Sequence, residues 1–530
     1  MKRTTPVLAR FASSMPLIPL EHTVTTTSAK QQRRLIVVSN RLPLVLHRNP
    51  DGSLDSRPGS GGLVTALLPV LRDRGGVWVG WPGITDHGPD VDAAVAATAD
   101  KAGYRLAPVA LSAEEQAGFY YGFSNEVLWP LFHDLQSQCH FDPAYWRCYT
   151  AVNHKYARAV MAQAQPDDFI WVHDYQLLLL AADLRREGCT APLAFFLHIP
   201  FPPLDIYLKL PWRFTLLRAL LEFDLIGFQT LRDQRNFVQC IRTLLPDVRV
   251  AQRNNQVHLP DGRRVRLGSF PIGIDAEAFQ RQSRTPGVVA AADALRAELP
   301  GRELLLGVDR LDYTKGIPLR LEAFRNALRQ YPELQEHVTL IQVVVPSRDD
   351  IPEYRDLRFE IEHLVGEING EFTRPGGWVP IHYVYRSVDR LDLIAYYRAA
   401  RIALVTPLKD GMNLVAKEFC ACSVDDDGVL ILSEFAGSAA QLQHGALLIN
   451  PYDIEGMSSA IYQACFMPLE ERRDRMRRLR RSVSRHNVFR WVNSFLETAI
   501  ASDLDAFPLP EDYVPSTEAE QAYWDTEFAG

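Results

Sequence analysis

Short apolar runs that stop at polar residues, each followed by a stretch of helical period, recur from Leu35 to Leu432 and narrow the possible folds more than any other feature. Leu35 to Val38 (LIVV) ends in Ser39-Asn40-Arg41. Val77 to Trp81 reads VWVGW. Ile170 to Val172 runs into His173-Asp174-Tyr175, Leu193 to Leu197 into His198-Ile199-Pro200, and Leu225 to Phe228 into Gln229-Thr230. Helical patterns separate them, as at Leu177 to Arg186 and Phe214 to Leu221. Strands without polar alternation are buried on both faces, and strand–helix alternation means a parallel sheet with right-handed crossovers. This predicts a first domain running to about Pro271. The alternation restarts after Gly273, with strands at Leu304 to Val308, Val338 to Val345, Ile381 to Val384, Ile402 to Val405 and Val429 to Leu432. The expected fold is α/β: two doubly wound, Rossmann-like domains with a cleft between them.

The stretch Ile402 to Phe419, IALVTPLKDGMNLVAKEF, shows what such a fold can do. A buried strand gives way to a turn holding Pro407, Asp410, Gly411 and Asn413, and Leu414 opens a helix. Free backbone N–H groups and the helix dipole make a strand–turn–helix junction a ready anion site. An ordinary βα turn is the simpler reading. Against it stands the convergence of Asp410, the amides around Asn413, Lys417 and Glu418. A second junction follows Leu35 to Val38: a loop, Asn49 to Gly62, carries Gly52, Gly59, Gly61 and Gly62 and leads into a helix over Leu63 to Leu71. Glycines let backbone approach a diphosphate. The spacing is neither a dinucleotide fingerprint nor a P-loop, and on the glycines alone a plain flexible loop is the simpler reading.

At 530 residues the chain exceeds one compact core. A net charge of −7 argues against a nucleic-acid surface. No apolar run of about 18 residues is present, so no membrane span is expected. Seven scattered cysteines, with Cys420 and Cys422 too close for an unstrained bridge, fit free thiols in a reducing cytosol. Residues 1–32 are expected to form a disordered extension rather than a transit peptide, and 506–530 an acidic tail. Arg475 to Arg481 reads as a solvated helix face. Val424 to Leu432 (VDDDGVLIL) reads as a polar turn entering the sheet.

Polar residues gather where the strands stop: Arg41, Asp174, His198, Arg310, Lys315, Arg348 and Asp410. Singly, each cation is more simply a surface ion pair. Placed jointly on both halves, they suit two phosphate-bearing ligands, Arg binding bidentately and Lys as a point charge. There is no G-x-S-x-G elbow and no zinc spacing. No carboxylate pair suited to a double-displacement glycosidase is evident.

VVSNRLP, GSGGLVTAL, VWVGWPG, FSNEVLWPLFH, WVHDYQLLL, FFLHIPFP, LIGFQT, PIGID, VDRLDYTKGIP, VVPSR, LVTPLKDGMNLVAKEF, LSEFAGSAAQL and INPYD stand in this order. With them the chain resembles the trehalose-6-phosphate synthases, retaining glucosyltransferases of family 20 with the GT-B arrangement. The match covers about Leu35 to Phe495. It implies transfer of glucose from UDP-glucose to glucose 6-phosphate, giving α,α-trehalose 6-phosphate and UDP, for trehalose biosynthesis and osmoprotection. Arg41, Tyr120, Asp174 and Arg348 would hold glucose 6-phosphate, with Arg41 and Arg348 on its phosphate, and Trp129 would select its anomer. Gly61, Gly62, Arg310 and Lys315 would hold the donor diphosphate, and Val388 would meet the uracil through its backbone. Asp410 with Gly411, Met412 and Asn413 would grip the donor glucose. Leu414, Val415, Ala416, Lys417 and Glu418 would complete that site, Glu418 on the ribose, and His198 would lie against the sugar. Arg310, Lys315, Asp410 and His198 form the implied catalytic set. The family's YY-x-x-F reads Phe119-Tyr120-Tyr121-Gly122-Phe123 here, which leaves Tyr121 as an alternative to Tyr120.

The implied mechanism is a same-face substitution in which the leaving phosphate oxygen takes the acceptor's proton. Protein cations do the work of a metal, so no cofactor and no Mg²⁺ is obligatory. The expected domains are 33–272 for the acceptor, 273–482 for the nucleotide sugar, and a helix within 483–505 packing back on the first. A cytoplasmic homo-oligomer, dimer or tetramer, is expected, with no nucleic-acid or membrane partner. The rivals are a sister transferase with another acceptor or nucleotide and a catalytically dead regulatory subunit. A synthase–phosphatase fusion is not expected, because the stretch after Phe495 is too short for a second catalytic domain.

Overall fold

The computed structural model describes residues 33–500 except 50, 60–62, 65–66, 69–70, 72–75, 103, 252–255, 349–350 and 375–376. The expectations for 1–32, Gly61, Gly62 and 506–530 therefore lie outside the described residues. Of the helix expected over Leu63 to Leu71, positions 63–64, 67–68 and 71 are described and helical.

Two sheets carry the chain. The first has nine strands, in the order Arg105–Pro108, Val77–Trp81, Leu35–Arg41, Phe169–His173, Leu193–Phe196, Leu225–Phe228, Arg264–Ser269, Gln256–His258 and Arg249–Val250. It is parallel as far as Arg264–Ser269 and antiparallel over the last two pairings. The second has six parallel strands, in the order Ile381–Tyr385, Val338–Val345, Glu303–Arg310, Ile402–Val405, Val429–Ser433 and Leu447–Ile449. This is the GT-B arrangement, and the strand runs read from the sequence match it within a few residues.

The apolar runs lack alternation because both faces of each sheet are covered. Ile36 and Val38 enter one core, Leu35 and Val37 another. Leu305 and Leu340 likewise face one core, and Leu304, Leu306 and Ile341 its opposite. One cover of the first sheet comes from the far end of the chain. The helix Val488–Ile500 lays Trp491, Val492, Phe495 and Leu496 on Trp78, Trp171 and Phe196. Phe495 stacks on Trp171 with centroids 4.2 Å apart. The chain thus crosses between the halves twice, and the crossings touch: a Cβ on Gly273 would lie 2.1 Å from the His486 carbonyl oxygen. Only glycine allows that approach.

Several expectations need correction. The loop Asn49 to Gly62 contains a strand: Leu54–Pro58 pairs antiparallel with Leu44–Arg48. The turn between them places Gly52 at φ 85°. Leu177 to Arg186 is broken into a 3₁₀ turn, Tyr175–Leu177, and a helix, Leu180–Arg186. The basic run lies on a helix, Leu469–Arg485, but is not merely solvated. Arg475 meets Glu471 at 2.8 Å, and Arg480 meets Asp426. The VDDDG stretch is a turn entering the sheet, as read, and its aspartates are ion-paired, Asp425 with Arg398 at 3.1 Å and Asp427 with Arg472 at 3.0 Å.

Candidate active site

Strand ends of both sheets converge on one cleft. From the first half come Arg41 at the end of Leu35–Arg41, Asp174 after Phe169–His173, and His198 after Leu193–Phe196. From the second come Arg310, Lys315, Arg348 and the turn before Leu414–Cys422. Tyr120 and Trp129 arrive on a π-helix, Gln116–Leu128, and the short helix that continues it, Trp129–Phe132.

Trp129 is the meeting point. Its ring lies 4.4 Å from the Arg348 guanidinium carbon and 5.8 Å from that of Arg310. Stacking a cation on an indole fixes the cation's plane without neutralising it. The indole Nε1 is buried and has no partner among the described residues. Arg348 is the more constrained cation. It lies at φ 54° with its side chain 6 % exposed. Its Nη1 donates to the Tyr354 hydroxyl, its Nη2 to the Tyr175 hydroxyl at 3.4 Å, and Asp312 lies 3.8 Å away. Its buried Nε has no partner among the described residues. Arg310 is half-exposed and also 3.8 Å from Asp312. Burial works to raise the Asp312 carboxyl, but Arg348, Lys315 and Arg310 outweigh it and hold it below the usual carboxylate range.

Tyr120 sits among the cations. Burial pushes its phenol up, yet Arg348, Arg41 and Arg310 together pull it down further. Tyr121 instead receives a hydrogen bond from Gln116 Nε2 at 3.4 Å and packs on the core of the second half. Of the two tyrosines left open by the sequence, Tyr120 is the one turned to the arginines. Arg41 stacks 4.7 Å from the Trp81 ring. Asp174 is held at φ 75° and accepts from the His198 amide at 3.2 Å. Its burial pushes the carboxyl up to about 7, against the pull of Arg348 and Arg310. Backbone strain at both Asp174 and Arg348 has to be supported by surrounding structure, and such residues cluster at functional sites.

On the other wall Lys315 Nζ meets Asp410 Oδ2 at 2.6 Å, and Asn413 caps Leu414–Cys422 by accepting from the Ala416 amide at 3.0 Å. The turn touches the first half directly, since a Cβ on Gly411 would lie 2.3 Å from the His198 carbonyl oxygen. Met412 packs into the first half's core. His198 is neutral: burial pushes it down to about 3, and its Nε2 lies 3.2 Å from His173 Nδ1. His173 is buried and also pushed well down.

Not every expected residue faces the cleft. Lys417 does not converge on the turn, which corrects the reading of the sequence. Its buried ammonium donates to the Ile272 carbonyl at 2.6 Å and to Gln441 Oε1 at 2.7 Å, tying the helix to the inter-half crossing. Burial pushes it down to about 7. Leu414, Val415, Ala416 and Val388 all pack on one core of the second half. Glu418 is half-buried, and one of its carboxylate oxygens accepts from the Tyr397 hydroxyl at 2.8 Å. Asp312, Tyr175 and Tyr354 position Arg348 and were not singled out. Asp312 had a signal, standing two residues after Arg310 at a strand end; Tyr354 had none. Among the described residues no group of three His, Cys, Asp or Glu could hold a metal, and no helix is long and apolar enough to cross a membrane.

Comparison with known proteins bears on this geometry. Residues 33–500 match the family model for glycosyltransferase family 20. The chain is 45 % identical over 474 residues to a trehalose-6-phosphate synthase of Mycobacterium avium, covering 88 % of this chain and 95 % of that one. A UDP-forming α,α-trehalose-phosphate synthase from Burkholderia xenovorans in complex with glucose 6-phosphate superposes with TM-score 0.78 at 34 % identity, over 88 % of this chain and all of that one. An E. coli structure bound with UDP-2-fluoro glucose gives TM-score 0.78 at 35 % identity, covering 88 % and 98 %. The chain belongs to glycosyltransferase family 20.

Proposed function

We infer that this chain transfers glucose from UDP-glucose to glucose 6-phosphate with retention, giving α,α-trehalose 6-phosphate and UDP. The observation that carries the reading is the meeting of Arg310 and Arg348 from one half with Arg41, Tyr120 and Trp129 from the other. Two phosphate-bearing substrates need positive charge on both sides of one reacting carbon, and this cleft supplies it.

The resemblance to the family gives the roles, and the charges in the cleft are compatible with them. Arg41 and Arg348 take the acceptor phosphate, Tyr120 and Asp174 its sugar hydroxyls, and the unpartnered Trp129 Nε1 faces the same ligand. Arg310 and Lys315 take the donor diphosphate. Asp410 and the amides of Gly411 to Asn413 hold the donor glucose against His198. Glu418 accepts from the ribose and the Val388 backbone meets the uracil. As the sugar–phosphate bond breaks, negative charge grows on UDP where Arg310, Lys315 and the N-terminus of Leu414–Cys422 stand ready. Preorganised groups of this kind contribute about 3–4 kcal/mol each to the barrier. The departing phosphate oxygen then takes the acceptor's proton on the face it leaves. Protein cations perform the neutralisation, so Mg²⁺ is not required. Holding both sugars together contributes the entropic part of the acceleration, and closure of the halves on the substrates would exclude water. The halves 33–272 and 273–482 act as acceptor and donor domains, and the protein works as a cytoplasmic homo-oligomer.

An assay of released nucleotide across donors and acceptors tests this. UDP should appear only when UDP-glucose and glucose 6-phosphate are both present, with a doubly α-linked disaccharide phosphate by NMR. Equal turnover with glycerol 3-phosphate, or none with any pair, overturns it in favour of a sister transferase or a regulatory subunit.

A further inference from the structure

A cavity of about 530 Å³ lies at the opposite end of the second sheet from the cleft. It is walled by the segments that enter three strands: Gly301 to Leu304, Ala399 to Arg401, and Cys422 to Gly428. The strand Glu303–Arg310 separates it from Arg310 by roughly 23 Å, at about 3.3 Å per residue. Its volume suits a metabolite-sized ligand.

Its charge is unbalanced in a specific way. Arg296, Arg302, Arg398 and Arg401 line it, against Glu303, Asp425 and Asp427. Each carboxylate already has a guanidinium: Glu303 has Arg401 at 2.6 Å, Asp425 has Arg398 at 3.1 Å, and Asp427 has Arg472 at 3.0 Å. Arg296 is spent on Asp293 at 3.1 Å and on the carbonyls of Arg398 and Ala399. Two sources of positive charge are left over. The Arg302 side chain has no hydrogen bond or ion pair among the described residues. Arg398 keeps two buried N–H-bearing nitrogens, Nε and Nη1, without a partner. Buried donors are normally satisfied, and a desolvated guanidinium short of acceptors favours an oxyanion.

The cavity is also wired to the donor side. Tyr397 lines it and donates its hydroxyl to Glu418 Oε2 at 2.8 Å. Cys422 lines it and ends the helix whose N-cap is Asn413. We propose that this cavity binds a small polyvalent oxyanion, a phosphorylated or polycarboxylate metabolite, between Arg302 and Arg398, and that its occupation alters donor affinity through Tyr397 and the helix Leu414–Cys422. The second half of the proposal rests on the reading of Glu418 as the ribose contact.

Titration calorimetry with pyrophosphate and with citrate tests it, at constant ionic strength and with UDP and glucose 6-phosphate saturating the cleft. Wild-type protein should bind one equivalent of at least one probe, and the preferred probe distinguishes a phosphate from a carboxylate ligand. Arg302→Gln should weaken that binding at least tenfold, and Arg302→Gln with Arg398→Gln should abolish it. Arg302 has no side-chain hydrogen bond or ion pair to lose among the described residues, so the single variant remains informative even where the double variant fails to fold. Absence of saturable binding, or equal binding by wild type and Arg302→Gln, overturns the site. In steady-state assays the probe that binds in calorimetry should shift the UDP-glucose KM of wild type and not of Arg302→Gln. Binding lost in the variant with no such KM difference overturns the coupling. Loss of all turnover in the donor–acceptor assay overturns the catalytic reading instead and leaves the calorimetric result standing.

Discussion

Replacing Gly411 by alanine tests how closely the two halves must approach. The added Cβ would meet the His198 carbonyl oxygen at 2.3 Å and the Ile199 Cα and carbonyl carbon at 3.0 and 3.1 Å. All three are backbone atoms, so no side-chain rotation relieves the clash. Bringing the first contact from 2.3 Å out to 3.0 Å moves the turn back by about 0.7 Å. There is little room behind it: Gly437 sits against the Gly411 carbonyl, and its amide donates to the Asp410 carbonyl at 2.9 Å. The turn carries Asp410, and Asp410 carries Lys315 at 2.6 Å, so the displacement reaches the groups assigned to the donor sugar and leaving group. A misplacement of about 1 Å costs on the order of 100-fold in rate. For the smaller shift here we expect kcat to fall about 30- to 100-fold, or about 2–3 kcal/mol in the barrier. Overpacking costs about 1–3 kcal/mol of stability, a loss of a few degrees in Tm. Steady-state kinetics by UDP release, paired with a thermal melt, reads both. A Gly411→Ala enzyme within twofold of wild-type kcat and with an unchanged Tm would refute the close approach.

Other perturbations separate the roles. Arg310→Ala and Lys315→Ala should each lower kcat about 100- to 1,000-fold; a raised donor KM at unchanged kcat contradicts the leaving-group role. Arg348→Ala should raise the glucose 6-phosphate KM by about two orders of magnitude or more while leaving the UDP-glucose KM within a few-fold, as initial-rate kinetics will show. Asp174, raised from the usual carboxylate range to about 7, keeps its proton in the folded state where the unfolded chain has lost it. The native state then binds more protons, so Asp174 makes unliganded stability fall as pH rises from about 4 to about 7. Asp174→Asn should flatten that limb in melts across pH, and an unchanged limb removes Asp174 as its cause. Phe495→Ala should cost about 3–5 kcal/mol by denaturant titration, because its fully buried ring stacks on Trp171.

The parts of the fold legible in the sequence are those whose signal is local. Leu35, Leu193, Leu225 and Ile402 open buried parallel strands because each run must be apolar on both faces, and sequence alone carries that. The strands Arg249–Val250 and Gln256–His258 went unread because they are short and lie at the sheet's antiparallel end, and Arg264–Ser269 was missed although Val265 and Leu267 alternate with polar residues. The π-helix Gln116–Leu128 has no 3.6-residue stripe to announce it. In the site, the cations at strand ends were legible because strand ends are where such sheets bind. What orients them was not: Arg348 is set by Tyr175, Tyr354 and Trp129, on separate elements. Lys417 was misplaced for the same reason, since its partner is a carbonyl 145 residues away. Resemblance to a family supplied roles for Tyr120 and Trp129 that spacing could not.

The central claim is that opposed positive walls grip a departing nucleotide and a phosphorylated hexose at once. A crystal structure with UDP and glucose 6-phosphate bound tests it most directly. The account predicts Arg310 and Lys315 within hydrogen-bonding distance of the diphosphate oxygens, and Arg41 and Arg348 on the hexose phosphate, with Trp129 between the two groups. An Arg310 guanidinium turned to solvent, or both phosphates held by the same half of the protein, contradicts it.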